Sequence, residues 1–233
     1  MEVNVGTSGW YYHWNPEKSL DWFVAHAGLN AVELNASFYR FPFPNQIKSW
    51  VKKGADLSWA VKVHRSVTHT HLFNEKGFGV WERFREAFAP LDDAVAFYLF
   101  QAPPRFADAD RLVAFVDDAG LGDRCAVEVR NTDLLGDDDL CARIADHAVL
   151  VSVDSPDFRN RIFSGPVVYL RMHGRDDWYA HDYADAELEE TASILRDRNP
   201  ERVHVFFNND HAMLDNARAM ARMLSGEVRL PIP

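Results

Sequence analysis

Cysteine is scarce in this sequence, and long apolar runs are absent. Cys125 and Cys141 are the only cysteines among 233 residues, and their spacing matches no metal-binding or redox motif. This favours two small buried side chains in a reducing compartment over a disulfide. No apolar run approaches the roughly 20 residues of a membrane-spanning helix. The first residues, "MEVNVGTSGW", lack the basic and apolar regions of a signal peptide, so we expect a cytoplasmic protein with no membrane partner.

Basic residues are also fewer than acidic residues. The chain has 25 Lys and Arg residues against 35 Asp and Glu residues, a net charge of −10. This charge disfavours a nucleic-acid partner, because such binding depends on a basic surface that neutralises phosphates. A small basic pocket within an acidic surface is still compatible with it. Hydrophobic residues make up 47% of the chain, which is enough for a large core and too much for a disordered protein.

The order of the apolar segments predicts the fold class. Eight short runs are typical of strands, and most are separated by apolar stripes at helical spacing. The first βα turn, "GTSGW", lacks the G-x-G-x-x-G motif of a dinucleotide site, which weakens an open doubly wound sheet. We therefore predict an α/β fold, a single (β/α)8 TIM-type barrel domain over residues 1–233. The predicted strands are 3–8, 31–36, 59–64, 95–101, 125–130, 149–154, 167–173 and 203–209.

Two local features refine this prediction. The segment 155–166, "SPDFRNRIFSGP", is too short and too rich in Pro, Gly and Ser for a full helix. Helix six is therefore expected to be short or missing. The stripe that contains Leu112 and Phe115 is followed by Gly120, which is suited to a helix C-cap.

Alternation within the strands predicts which side chains face the helices. The face against the helices should be apolar, so Val32 and Leu34 point outward while Glu33 and Asn35 point toward the barrel axis. Polar inward residues gather at the carboxyl ends of the strands, where active sites of this fold are built. Burying several carboxylates and cations is costly even when they are paired, which favours a functional site over a network that merely fills the barrel. The predicted inward set is Glu33, Asn35, Lys62, His64, Glu128, Arg130, Ser152, Asp154, Arg171, His173 and Asn208, with Leu99 and Gln101 on strand four.

The strand ends resemble, in order, the motifs of a known family. These are "GTSGW", "VELNASFY", "VKVHRSVTH", "FQAPPRF", "VEVR", "YLRMHGRDDWY" and "FFNND". Together, from about residue 5 to residue 210, they are similar to the YecE-like domain of unknown function, number seventy-two in its series. The resemblance implies a TIM-type barrel and brings no established reaction. It marks Trp10, Glu33, Asn35, Tyr39, Lys62, Thr68, His69, Gln101, Glu128, Arg130, Arg171, His173, Asn208 and Asn209.

One segment departs from the family pattern. Relatives usually carry an aromatic residue a few positions beyond "VEVR", where this chain has "NTDLL". We therefore expect the pocket wall after strand five to differ from that of the relatives.

Our first functional hypothesis is a metal-free enzyme or binder, without a cofactor, for a small phosphorylated or carboxylated molecule. Arg130 and Arg171 offer planar forks that suit such anions, and Lys62 adds a point charge. Glu33 or Glu128 would act as general base, and His69 or His173 as general acid. The remaining predicted binding residues are Trp10, Asn35, Tyr39, Gln101, Asp154, Asn208 and Asn209.

Two alternatives remain open. The first is a divalent-metal phosphoesterase, by analogy with endonuclease and sugar-isomerase barrels. Its ligands would be His69 and His71 of "THTH", with Glu33, Glu128, Asp154 and His173 as further ligands. The inward cations oppose a dication, so we predict that no metal is bound. The second is a non-catalytic module that binds a metabolite or a partner protein without turnover.

Overall fold

The computed structural model describes residues 1–226, which form two compact units. The first unit comprises residues 1–32 together with the chain from Ser152 onward, and the second comprises Glu33–Val151. The prediction of a single domain over residues 1–233 stays a prediction. No helix within residues 1–226 is long and apolar enough to cross a lipid bilayer.

Within residues 1–226, nine strands occur where eight were predicted. The difference lies in the sixth predicted strand, which is divided at Val151, whose backbone N–H donates to the Val127 carbonyl at 2.8 Å. The strands are β1 (Glu2–Thr7), β2 (Ala31–Leu34), β3 (Ser58–Lys62), β4 (Val95–Ala102), β5 (Cys125–Val129), β6 (Val149–Leu150), β7 (Ser152–Asp154), β8 (Val167–Met172) and β9 (Arg202–Phe207).

Most helices lie on predicted stripes, whereas the two helices between β5 and β6 were not predicted. There is no helix between β7 and β8, which confirms the prediction that segment 155–166 lacks a full helix. Gly120 ends the fourth helix with φ 62°, a left-handed conformation that glycine adopts without strain, as predicted. The helices are α1 (Leu20–His26), α2 (Pro44–Lys53), α3 (Glu75–Phe88), α4 (Ala109–Ala119), α5 (Thr132–Gly136), α6 (Asp138–Ala145), α7 (Asp185–Arg198) and α8 (Met213–Ser225).

In the first unit the strand order is β2-β1-β9-β8-β7, and neighbouring strands are parallel. Helices α7 and α8 pack against one face of β8 and β9. The strand residues on that face are the ones that alternation predicted to face helices. The core they form with α7 and α8 includes Val168, Leu170, Met172, Val205, Phe207, Leu188, Leu195, Met213 and Met220.

In the second unit the strand order is β6-β5-β4-β3-β2, and an aromatic core covers one face. The ring of Trp81 on α3 lies 5.0 Å from those of Tyr98 and Phe100 on β4. Phe100 also contacts Phe115 of α4, with the ring centroids 5.7 Å apart. Because successive strand residues point to opposite faces, Leu99 and Gln101 lie on the face away from the helices. The prediction for strand four is confirmed.

Strand β7 contradicts its predicted orientation. The parallel register pairs Asp154 with Met172, and Val153 with Arg171. Paired residues of neighbouring parallel strands point to the same face. Met172 belongs to the helix-facing core, so Asp154 also faces the helices and does not share the face of Arg171. The predicted placement of Ser152 and Asp154 on the Arg171 face is wrong.

The physical reason is a buried network around the Asp154 carboxylate. Its Oδ1 accepts from the Asn160 backbone N–H at 2.8 Å. Its Oδ2 accepts from Arg175 Nε at 3.0 Å and from the Tyr183 hydroxyl at 2.8 Å. Burial opposes the charge of Arg175, but hydrogen bonds to Asp154 and to Glu190 of α7 raise the pKa of its guanidinium. The hydrogen-bonding partners of Asp154 thus come from the loop at residues 155–166 and from Arg175 and Tyr183 further along the chain.

Asp154→Ala should destabilise the fold rather than alter ligand binding alone. The change leaves the Tyr183 hydroxyl, the Arg175 Nε and the Asn160 N–H without their buried acceptor. We expect the free energy of unfolding to fall by about 3–5 kcal/mol in denaturant titrations. The exposed Asp157, on the same loop, is the matched control, and Asp157→Ala should change it by about 0.5 kcal/mol or less. Equal stabilities of the two variants would contradict a structural role for Asp154.

Candidate functional site

The register of the second unit places four predicted residues on one face of the sheet. Lys62 of β3 pairs with Leu99 of β4, and Gln101 of β4 pairs with Glu128 of β5. Arg130 lies two residues beyond Glu128, so it continues on the same face. All of these residues lie at or just past the carboxyl ends of their strands.

Glu128 is the centre of this group. Its carboxylate is fully buried, and Gln101 Nε2 donates to Oε2 at 2.7 Å. Arg130 Nε lies 2.8 Å from Oε1, and 13% of the Arg130 side chain remains exposed. A buried carboxylate is stable only when charge and hydrogen bonds compensate its lost hydration. Gln101 and Arg130 therefore fix the position of Glu128 at the end of β5.

Glu33 is held in a similar way at the end of β2. It is fully buried, and Asn35 Nδ2 donates to its Oε1 at 2.9 Å. The chain then makes a 3-10 turn over Ala36–Phe38. Within this turn the Ser37 hydroxyl donates to the Lys62 carbonyl at 2.7 Å, which ties the turn to the end of β3.

A π-helical turn, Ser66–Thr70, follows β3 and presents His69. Such turns are rare and often occur at functional sites. The imidazole Nδ1 of His69 lies 2.8 Å from the Thr68 hydroxyl. Arg105, in the loop after β4, donates from Nη2 to the His69 carbonyl at 2.6 Å. The ring of Phe38 lies 4.9 Å from the His69 ring.

Positive charge surrounds the half-buried His69. Burial is the largest cause that lowers the pKa of His69, to about 4, and nearby Lys62, Arg65 and Arg105 lower it further. The imidazole is therefore neutral at pH 7. Lys62 Nζ also lies 4.4 Å from the centre of the Phe38 ring. We call Lys62, Arg65, His69 and Arg105, with Phe38 as their apolar wall, the His69 cluster.

Sequence reasoning missed three members of the His69 cluster: Phe38, Arg65 and Arg105. All three lie inside quoted motifs, "VELNASFY", "VKVHRSVTH" and "FQAPPRF". They lie in turns and loops beyond the strands, where alternation does not assign a face. Their position just after strand ends was the signal that could have found them.

In the first unit, two predicted residues are fully buried: Arg171 on β8 and His173 just after its end. Arg171 lies on the face away from α7 and α8, as alternation predicted. His173 follows it, with its ring 5.3 Å from Trp178 and its Nδ1 3.4 Å from Asn208 Nδ2.

The other predicted residues of the first unit have local partners. Asn209 Nδ2 donates to the His181 carbonyl at 2.8 Å and to Asn216 Oδ1 at 2.6 Å, so it contacts both the loop before α7 and helix α8. The half-buried Trp10 accepts from Asn15 Nδ2 through its carbonyl at 2.9 Å. Asp154 belongs to the network on the helix side described above.

The predicted site residues therefore divide between the two units. The predicted joint action of Arg130 and Arg171 on one anion stays a prediction. Within residues 1–226, no three or more His, Cys, Asp or Glu side chains are grouped so that they could hold a metal ion. The second unit holds Glu33, Asn35, Tyr39, Lys62, His69, Gln101, Glu128 and Arg130; the first holds Trp10, Asp154, Arg171, His173, Asn208 and Asn209.

Comparison with known families now identifies the chain. A family model described as "Protein of unknown function DUF72" matches residues 4–232. The chain belongs to the DUF72 family. No curated protein is significantly similar to this DUF72 chain.

Solved structures agree with the family and the fold. A DUF72 family protein from Enterococcus faecalis is 20% identical, with a TM-score of 0.77, over 96% of this chain and 95% of that one. One from Thermotoga maritima is 25% identical, with a TM-score of 0.76, over 97% and 100% of the two chains. A xylose isomerase-like TIM barrel/4-hydroxyphenylpyruvate dioxygenase fusion protein is 17% identical, with a TM-score of 0.57, over 96% and 42%. The predicted α/β fold of the TIM-barrel type is confirmed.

The charge environment of His69 can be measured directly. In an NMR titration of the ring protons, His69 should titrate near pH 4 instead of the ordinary 6.5. Arg65→Gln and Arg105→Gln should each raise this midpoint, because each removes a positive charge that opposes protonation. The exposed Arg83 of α3 is the control, and Arg83→Gln should leave the midpoint unchanged. A wild-type midpoint at or above 6.5 would contradict the described environment.

The same shift links stability to pH. The unfolded chain binds a proton on His69 near pH 6.5, whereas the folded chain binds it only near pH 4. The contribution of this residue to stability is therefore complete above pH 6.5 and is lost as the pH falls toward 4. His69→Gln should make the free energy of unfolding less dependent on pH in this window.

Proposed function

We propose that the protein binds a small anionic molecule, phosphorylated or carboxylated, at the His69 cluster of the second unit. The observation that carries the proposal is the gathering of Lys62, Arg65 and Arg105 around one half-buried imidazole. The chain as a whole carries a net charge of −10. A local excess of cations in such a chain favours an anionic ligand, since the cations repel one another without one.

The partners of the two arginines support this proposal. Within residues 1–226, Arg65 and Arg105 form no ion pair with a carboxylate, and Arg105 donates only to the His69 carbonyl. Guanidinium groups suit phosphate and carboxylate oxygens because their donors form a planar fork. Each charge-assisted hydrogen bond contributes about 1.5–3 kcal/mol, so a few of them account for micromolar affinity, about 8 kcal/mol.

His69 and Glu128 have different roles in this proposal. A neutral His69 does not fit the role of protonated general acid that the sequence suggested for it. With Nδ1 accepting from Thr68, the ring carries its proton on Nε2 and donates a hydrogen bond to a ligand oxygen, as a neutral imidazole does in some isomerases. Glu128, held by Gln101 and Arg130, remains the proposed base.

Calorimetric titration with inorganic phosphate, phosphorylated metabolites and carboxylated metabolites tests the proposal. Wild-type protein should bind at least one class, and Arg65→Gln/Arg105→Gln should weaken the binding about 10–100-fold. The matched control Arg83→Gln removes an exposed arginine of the same unit and should bind like the wild type. Treatment with a chelator should leave the affinity unchanged, because the proposed contacts involve no metal.

Two results would overturn the proposal. One is the absence of binding by the wild-type protein to all three classes of anion. The other is equal binding by Arg65→Gln/Arg105→Gln and the wild type while circular dichroism shows both folded, since the cluster would then play no part.

A further inference from the structure

Tyr39 presents an aromatic ring to solvent beside the His69 cluster. It is 70% exposed, among the most exposed large hydrophobic side chains within residues 1–226. Its hydroxyl has no hydrogen-bond partner within that part of the chain. The exposed face of an aromatic ring offers a large apolar area that a ligand ring can cover.

The backbone of Tyr39 is nevertheless firmly held. Its N–H donates to the Ala36 carbonyl at 3.2 Å, and the preceding Ser37 hydroxyl is bonded to the Lys62 carbonyl. His64 also bonds the Tyr39 backbone, which partly offsets the effect of burial that lowers the pKa of His64. An exposed ring on an ordered backbone loses little conformational entropy when it binds a ligand.

The ring lies close to the cations. Its centroid is 5.0 Å from that of Phe38, in a nearly perpendicular contact. Lys62 Nζ is 4.4 Å from the same Phe38 centroid, and the His69 ring is 4.9 Å from it. The distance from the Tyr39 ring centre to the Lys62 ammonium is therefore at most the sum of these 5.0 Å and 4.4 Å contacts through Phe38. One small molecule can span that distance.

Two other exposed aromatic rings, those of Phe43 and Tyr11, each have a cation against the ring face. The ring of Phe43 is covered by the Arg40 guanidinium, 5.4 Å from its centre. Tyr11, in the first unit, is 71% exposed and has the Lys18 ammonium 5.1 Å from its ring centre. Of the three rings compared within residues 1–226, Tyr39 contacts another ring instead of a cation and lies next to Phe38 of the His69 cluster. This position favours a ligand over a general docking surface.

We infer that the anionic ligand carries a planar aromatic or heteroaromatic ring, which stacks on Tyr39 while its phosphate or carboxylate meets the His69 cluster. This inference rests on the proposed function and names the class of ligand. Nucleoside monophosphates and aromatic carboxylic acids share this chemistry. Stacking on an aromatic side chain is tolerant of ring type, so Tyr39 selects for the presence of a ring.

Matched pairs of ligands test the inference. Adenosine monophosphate is compared with ribose 5-phosphate, and phenylpyruvate with pyruvate, by calorimetric titration. In at least one pair the ring-bearing ligand should bind about tenfold tighter or more to the wild-type protein. Tyr39→Ala should abolish this difference, and Tyr39→Phe should retain it because the ring is kept. The control Tyr11→Ala should bind like the wild type.

The outcomes separate this inference from the proposed function. If ring-bearing and ringless ligands bind equally, or if Tyr39→Ala retains the preference, the stacking role is wrong while anion binding stands. If no anion binds, both are wrong. A preference in the first pair alone identifies nucleotide-like ligands, and one in the second pair alone identifies aromatic acids; each supports the inference.

Discussion

The fold and the candidate site both depend on one constraint: helices cover one face of each parallel strand. A helix offers few partners for polar strand groups, so most covered positions carry aromatic or aliphatic side chains, as with Tyr98 and Phe100 of β4. Asp154 of β7 is an exception that its buried network compensates. The alternate positions are released from this requirement and can carry Gln101, Glu128 and Lys62. The two-residue alternation of the strands therefore determines which face carries the polar side chains of the second unit.

This constraint explains how much of the fold could be predicted. A long element with a clear pattern, such as β4, lies close to its predicted limits. Strand β7 was misread because valine is acceptable on either face, so alternation with Ser152 and Asp154 did not fix the orientation. The groups that decide it, Arg175 and Tyr183, lie 21 and 29 residues beyond Asp154. Such long-range compensation is not visible in a local pattern.

The residues of the candidate site that lie on strands could be predicted, and those in turns and loops could not. Lys62, Gln101 and Glu128 follow from alternation because they lie on strands or at their ends. Arg65 and Arg105 lie in a π-helical turn and a loop, where side-chain direction depends on backbone geometry that no residue period encodes. The low pKa of His69 was equally beyond a sequence argument, since burial and the approach of three separate cations produce it.

The two polar clusters differ in a way that separates structure from function. Around Asp154 each carboxylate oxygen has a donor, and the buried Arg175 has carboxylate partners, so the network is complete within the chain. Around His69 like charges meet, and within residues 1–226 neither Arg65 nor Arg105 has a carboxylate partner. Local conflicts between like charges occur more often at functional sites than elsewhere. We therefore propose the incomplete cluster, rather than the most deeply buried one, as the place where a ligand binds.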